Sequence, residues 1–160
     1  MTLVLRADVA NAIRRHGAET YPNECCGALI GRDGIAGVAY ALPNTTEEGP
    51  RRRFRVRPDD YRAAERRAAE QGAELLGFYH SHPDHPARPS QYDLDHAWPT
   101  FAYVIVSVAG ESLAHRSGEA AKAGDTTVWF LKEDRSAFEE GTLHHGDENP
   151  DSNPAQAVHG

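Results

Sequence analysis

The chain has 160 residues, 39% of them apolar and 26% charged, and a formal net charge of -7, which suits one globular domain with its own hydrophobic core. No run reaches the roughly 18 apolar residues of a membrane span, and the opening MTLVLRADVANAIRR lacks the basic start and long apolar stretch of a signal peptide, so a cytoplasmic setting away from any membrane is expected. The acidity is uneven: residues 1–131 carry 17 acidic and 15 basic side chains against 7 and 2 in residues 132–160, which leaves the globular part nearly neutral and argues against nucleic-acid binding.

In chain order, ADVANAIRRHGAET (7–20) carries apolar residues at Val9, Ala10, Ile13 and Ala18 with Asp8 near its start, the pattern of an amphipathic helix. The runs CCGALIG (25–31) and GIAGVAYAL (34–42) flank Arg32-Asp33-Gly34, and an Asp-Gly step between apolar runs predicts a hairpin. Cys25 and Cys26 are the two cysteines. A disulfide between neighbours is strained, and on a strand adjacent side chains point to opposite faces, so two reduced, buried thiols are expected. Residues 52–58 (RRFRVRP) alternate as a half-buried strand does. Pro58 then opens a helix over PDDYRAAERRAAEQG, with acids in its first turn and Gly72 at its end.

ELLGFYHSH (74–82) reads as a strand entering a polar segment, and Pro89-Ser90 precedes a short helix, SQYDLDHAW. FAYVIVSVAG (101–110) is the most hydrophobic run and a predicted central strand, followed by weaker strands near 112–117 and 126–131. The last twenty residues are polar and hold two prolines. A globular domain over 1–135 and a disordered tail over 136–160 are therefore expected. The order of helix, two or three strands, helix, strand, helix and three strands predicts an α/β or α+β fold with several antiparallel neighbours. Neither GxGxxG nor GxxxxGK[ST] occurs, so a nucleotide-binding fold has no support.

The stretch YHSHPDHPARPSQYD (79–93) holds three histidines, two aspartates and two serines. On an extended strand His80 and His82 face one side, together with Leu76 and Phe78, while Tyr79 and Ser81 turn away. Ser90 and Asp93 are three apart, the spacing of one helix face. Folding that face over the strand end gathers two imidazoles, a carboxylate and a hydroxyl, and three protein ligands with one open position is the arrangement of a catalytic zinc. By counting alone His85 and His96 are equally eligible ligands, and Ser90 with Asp93 also fits an ordinary helix start.

His80-Ser81-His82, seven intervening residues, then Ser90-x-x-Asp93 resembles the H-[ST]-H-x7-S-x2-D signature of the JAMM (MPN+) metalloproteases, and YPNECCGALIG (21–31) is similar to that family's upstream element. The resemblance spans roughly residues 3–131 and is nearer the stand-alone prokaryotic branch. It implies a cytidine-deaminase-like fold with a mixed central sheet flanked by helices, and one Zn²⁺ on His80, His82 and Asp93. It also implies Glu24 as the general base and Ser90 as a donor to the oxyanion.

The family resemblance further implies hydrolysis of a peptide or isopeptide bond after the C-terminal Gly-Gly of a small β-grasp partner, a ubiquitin-like or sulfur-carrier protein of the ThiS/MoaD type, with a link to cysteine or sulfur metabolism. Arg53 and Arg55, in the cluster Arg51 to Arg57, are candidate substrate-binding residues that would meet acidic groups on such a carrier. The same arginines also suit a solvated strand face. Two alternatives stand beside this reading: a non-catalytic MPN scaffold that binds a partner, and a JAMM peptidase acting on cell-wall or phage-related peptides. Zinc deaminase chemistry is excluded, because it needs H-x-E and P-C-x-x-C, and neither is present.

Overall fold

The computed structural model describes residues 1–44, 56–110 and 121–146. The elements are β1 (Thr2–Leu5), α1 (Ala7–Thr20), β2 (Cys26–Arg32), β3 (Ile35–Leu42), α2 (Pro58–Glu70), β4 (Glu74–Pro83), α3 (Gln91–Asp95), β5 (Ala102–Ala109), β6 (Lys122–Leu131), β7 (Phe138–Glu140) and β8 (Thr142–His145). Among the described residues the strands form one sheet in the order β7-β6-β5-β4-β2-β3-β1-β8. The sheet is mixed. β4 and β5 run parallel, β1 is parallel to both β3 and β8, and the other described pairs are antiparallel.

Local signals explain most of these elements. Asp33 and Gly34 both take positive φ (52° and 75°), the two left-handed positions that let a tight hairpin match the twist of β2 and β3. Pro58 sits in the first turn of α2 with Asp59 and Asp60, where a missing N–H costs nothing and negative charge meets the positive end of the helix dipole. Gly72, at φ 65°, turns the chain back toward β4.

The sheet buries both faces. On one side α1 covers Leu29, Tyr79, Val104, Val106 and Val108; on the other Cys26, Ala28, Phe78 and Tyr103 pack with Ala64 of α2. Cys25 belongs to the first cluster and Cys26 to the second. Both are buried free thiols on opposite faces, as alternation requires. Burial pushes the Cys25 thiol up to about 11, far from the thiolate that metal binding or nucleophilic attack needs.

The structure departs from sequence expectation in three places. β1 was not anticipated, since four residues are too few to display a period. Leu3 and Leu5 are buried, and the strand is held by parallel pairing on both sides. Residues 138–145, expected within the disordered tail, form β7 and β8, and β8 pairs with β1 over Thr142–His145. An edge strand needs backbone partners more than apolar side chains: Phe138 of β7 and Leu143 of β8 pack on the core. Leu76 does not share the face of Phe78. The β2–β4 register shifts between Leu29 and Ile30, so Leu76 packs in the α1-side cluster while Leu75 joins Phe78. An extra residue in a ladder breaks the two-residue period. The predicted strand over 52–58 falls mostly outside the described residues, as do Arg53, Arg55 and the predicted strand near 112–117.

Candidate metal centre

β4 lies between β5 and β2 in the interior of the sheet, fourth from the β7 edge, and its C-terminal end carries His80, Ser81 and His82. Beyond it the chain loops through Asp84–Pro89 and enters α3, whose N-cap is Ser90. Ser90 Oγ accepts the Asp93 N–H at 3.1 Å, and Ser90 N–H donates to Asp93 Oδ2 at 2.8 Å. This capping box fixes the Asp93 carboxylate toward the strand end. The two uses of Ser90 and Asp93 left open by their spacing are thus compatible, because the box that starts the helix also aims the acid. A hydroxyl oxygen that accepts one bond still carries a proton to donate.

Three atoms converge. His80 Nε2 and His82 Nε2 are 3.1 Å apart, and Asp93 Oδ2 lies 3.3 Å from the first and 3.2 Å from the second. All three residues are buried. The His82 Nδ1 lies 2.9 Å from the Pro86 carbonyl, so Nδ1 carries the proton and donates, leaving the Nε2 lone pair aimed inward. A buried lone pair facing a carboxylate oxygen and a second imidazole nitrogen is unfavourable unless a cation or proton lies among them. The edges of a tetrahedron with bonds of 2.0–2.1 Å are about 3.3 Å, close to the triangle observed. The donor set fits a divalent metal with nitrogen and oxygen ligands.

The charges reinforce one another. Burial works to raise the Asp93 carboxyl, but the two imidazoles and the Ser90 N–H overcome it and hold the group well below the ordinary carboxylate range. His80, fully enclosed, is shifted down by burial, toward the neutral form that ligates metal. For His82 burial also lowers, but the Asp93 contact and the Pro86 carbonyl shift it up overall.

Glu24 comes from the turn before β2. It is buried, and a carboxylate oxygen lies with one ring nitrogen each of His80 and His82 inside a group whose atoms are all within 4.8 Å of one another. On proximity, either Glu24 or Asp93 can complete a three-ligand set with the histidines. Asp93 is the tighter fit, at hydrogen-bond distance from both nitrogens and braced by the Ser90 N–H.

The peptide unit joining Glu24 to Cys25 is gripped on both sides. The Asn44 side chain donates to the Glu24 carbonyl at 3.0 Å, and the Cys25 N–H donates to Ser81 Oγ at 2.8 Å. Strand parity correctly turned Ser81 away from the metal face, yet gave no hint that its hydroxyl ties β4 to the segment bearing Glu24. Ser81→Ala strands the buried Cys25 N–H, a loss of about 1–3 kcal/mol. Chemical denaturation of this variant is expected to show that loss, and Ser81→Thr is expected to recover most of it.

Other polar neighbours in the motif stretch have structural partners. Asp84, at φ 58°, accepts from Tyr21 Oη at 2.6 Å and from Gly110 N at 3.1 Å, which pins the loop after β4. His96 stacks on Tyr92 with centroids 4.0 Å apart, and Asp95 accepts from Gln91. His85 is exposed. His144 and His145 lie on β8, at the far edge of the sheet from β4.

The family model for prokaryotic homologs of the JAB domain matches residues 6–121. A desampylase from Haloferax volcanii is 34% identical over 120 residues, covering 71% of this chain and 86% of its own. A CysO-cysteine peptidase from Mycobacterium tuberculosis is 32% identical over 106 residues, covering 66% of this chain and 73% of its own. A crystal structure of a JAB1/MPN domain protein from Archaeoglobus fulgidus superposes with a TM-score of 0.55 at 17% identity, over 90% of this chain and 97% of that one, a likeness of fold.

Proposed function

We propose, from the premise that this chain belongs to the family of prokaryotic homologs of the JAB domain, that it is a JAMM-type zinc metallopeptidase cleaving after the C-terminal Gly-Gly of a small ubiquitin-like or sulfur-carrier protein. The observation that carries the reading is the buried triangle of His80, His82 and Asp93, with edges of 3.1–3.3 Å, and the Glu24 carboxylate beside it. His80, His82 and Asp93 would hold the ion. When bound, zinc supplies a Lewis acid that polarises the scissile carbonyl and lowers the pKa of water toward ~7.

The remaining chemistry belongs to the chain's own side chains. Glu24 takes the proton of the attacking water and returns it to the departing amine. Its buried place beside the imidazoles puts a carboxylate close to the reacting bond without occupying the triangle. Ser90, oriented by the capping box, directs its hydroxyl proton to the oxygen on which negative charge develops. Asn44 and Ser81, by gripping the Glu24–Cys25 peptide, keep the base in register with the ligands on β4. The names of two relatives, a desampylase and a CysO-cysteine peptidase, support a small protein modifier or carrier as the substrate class.

The test is direct. Zinc-loaded protein is incubated with β-grasp carriers extended by one or more residues after Gly-Gly, and with isopeptide-linked conjugates, and the products are weighed by mass spectrometry. A carrier truncated at Gly-Gly is the expected product of at least one. Intact substrates throughout, from protein shown to hold zinc, would sink the reading and leave partner binding without turnover.

A further inference from the structure

The metal triangle opens on a cleft that neither the ligands nor Glu24 explain. It is a cavity of about 290 Å³ whose wall includes His80 and Asp93 and continues over Phe78, Trp98, Tyr103 and Phe138. The aromatic rings hold one another edge-on or stacked: Phe78 to Trp98 at 5.9 Å, Phe78 to Tyr103 at 6.1 Å and Tyr103 to Phe138 at 5.6 Å. Tyr103 Oη accepts the Trp98 N–H at 2.6 Å and donates to the Trp98 carbonyl at 3.2 Å. The cleft is therefore built before any ligand arrives, at the small end of the usual range for binding pockets, about 300–1,000 Å³.

Among the described residues one arginine stands in this wall. Arg135 lines the cleft and reaches the Ala97 carbonyl through Nη2 at 3.3 Å. It sits in a tight turn, at φ 64°, closed by Arg135 N to Lys132 O at 2.8 Å and Lys132 N to Ala137 O at 2.9 Å. Among the described residues no carboxylate forms an ion pair with it. Asp95 also touches the cleft; like Arg135 it is exposed, and it takes the Gln91 amide. A guanidinium spends one N–H on Ala97 and keeps others for a carboxylate in its planar fork.

Resting on the proposed peptidase reading, we infer that this cleft binds the residue released from the carrier, with an apolar side chain against the aromatic wall and its terminal α-carboxylate on Arg135. The two residues on the acyl side of the scissile bond are glycines and bring no side chain to a cavity whose wall includes His80 and Asp93, so the first side chain adjoining the bond belongs to the leaving residue. A terminal carboxylate exists when one residue follows Gly-Gly and is absent from a lysine isopeptide within a folded protein. The reaction balances as hydrolysis: the C–N bond breaks, the water oxygen joins the glycyl carbon, and its proton passes through Glu24 to the amine of the released amino acid. Arg135 is thus a specificity residue for single-residue trimming.

The experiment compares one carrier ending Gly-Gly-Phe as the free acid, the same carrier as the C-terminal amide, and an amide ending Gly-Gly-Asp. For zinc-loaded wild type the free acid is expected to exceed both amides in kcat/KM by about tenfold or more, the worth of a hydrogen-bonded charge. Arg135→Ala should remove the difference between acid and amide of the phenylalanine substrate, and Arg135→Lys should restore part of it. A fault that is merely structural lowers both forms equally and does not change their ratio. Independently of turnover, L-phenylalanine added to metal-free wild type should shift the Trp98 indole N–H resonance, and phenylalaninamide should not. Equal rates on acid and amide overturn the inference and leave the peptidase standing. An Asp amide as good as the free acid overturns it in favour of side-chain recognition. No cleavage of any of the three, or of isopeptide conjugates, removes the peptidase reading itself.

Discussion

His82→Ala is expected to emerge from purification with zinc far below one per chain and to cleave no Gly-Gly-extended carrier, while wild type holds about one. The reason lies in the triangle. Three buried donors 3.1–3.3 Å apart offer an ion one face of a tetrahedron, and deleting one leaves two ligands and an enclosed gap. The Pro86 carbonyl that sets the His82 tautomer loses its partner as well. Because an ion that binds only the folded state stabilises it by mass action, zinc at a thousandfold excess over its Kd adds about 4 kcal/mol to wild type. For a chain of this length that is a rise of roughly 10 °C in the unfolding midpoint. The variant is expected to show no such rise, a comparison that cancels whatever the lost imidazole contacts themselves cost. Elemental analysis showing wild-type zinc in His82→Ala would remove this residue from the ligand set.

Glu24→Gln separates a base from a ligand. The amide keeps the size of the carboxylate but cannot take the water's proton, so kcat is expected to fall by about 10²–10⁴-fold. Zinc content should stay at the wild-type level, because Asp93 rather than Glu24 completes the triangle. The proximity of Glu24 to both imidazoles makes the opposite outcome a real alternative: if Glu24 were the third ligand, zinc would fall with activity. Asp93→Asn gives the mirror image, with loss of zinc expected first. It also replaces the carboxylate that accepts the Ser90 N–H, so its helix content is followed by circular dichroism alongside the metal.

Much of the fold was legible because its signals are local. The Asp33-Gly34 turn, Pro58 at the head of α2 and the apolar run of β5 each carry their own punctuation. β1 and β8 do not. They are short, and their stability comes from partners distant in sequence, so neither composition nor period could reveal them. Parity along β4 held from Phe78 to His82 and failed at Leu76, where a register shift against β2 resets the alternation.

For the site, the sequence by itself determined the donor inventory and its order: two imidazoles on one strand face, an acid and a hydroxyl at a helix start, all within residues 80–93. Strand and helix periods fix which of those side chains share a face, but spacing left His85 and His96 equally eligible, and it was the resemblance to the H-[ST]-H-x7-S-x2-D signature that singled out His80, His82 and Asp93. Only the tertiary structure decided what comes together across the chain. It joined Glu24 to the imidazoles by pairing β2 with β4, gripped the Glu24–Cys25 peptide between Asn44 and Ser81, and set Arg135 in the aromatic wall beside His80 and Asp93. The two hydrogen bonds that grip the peptide alone span 20 and 56 positions, and contacts of that kind follow from strand order and packing, which no local period encodes.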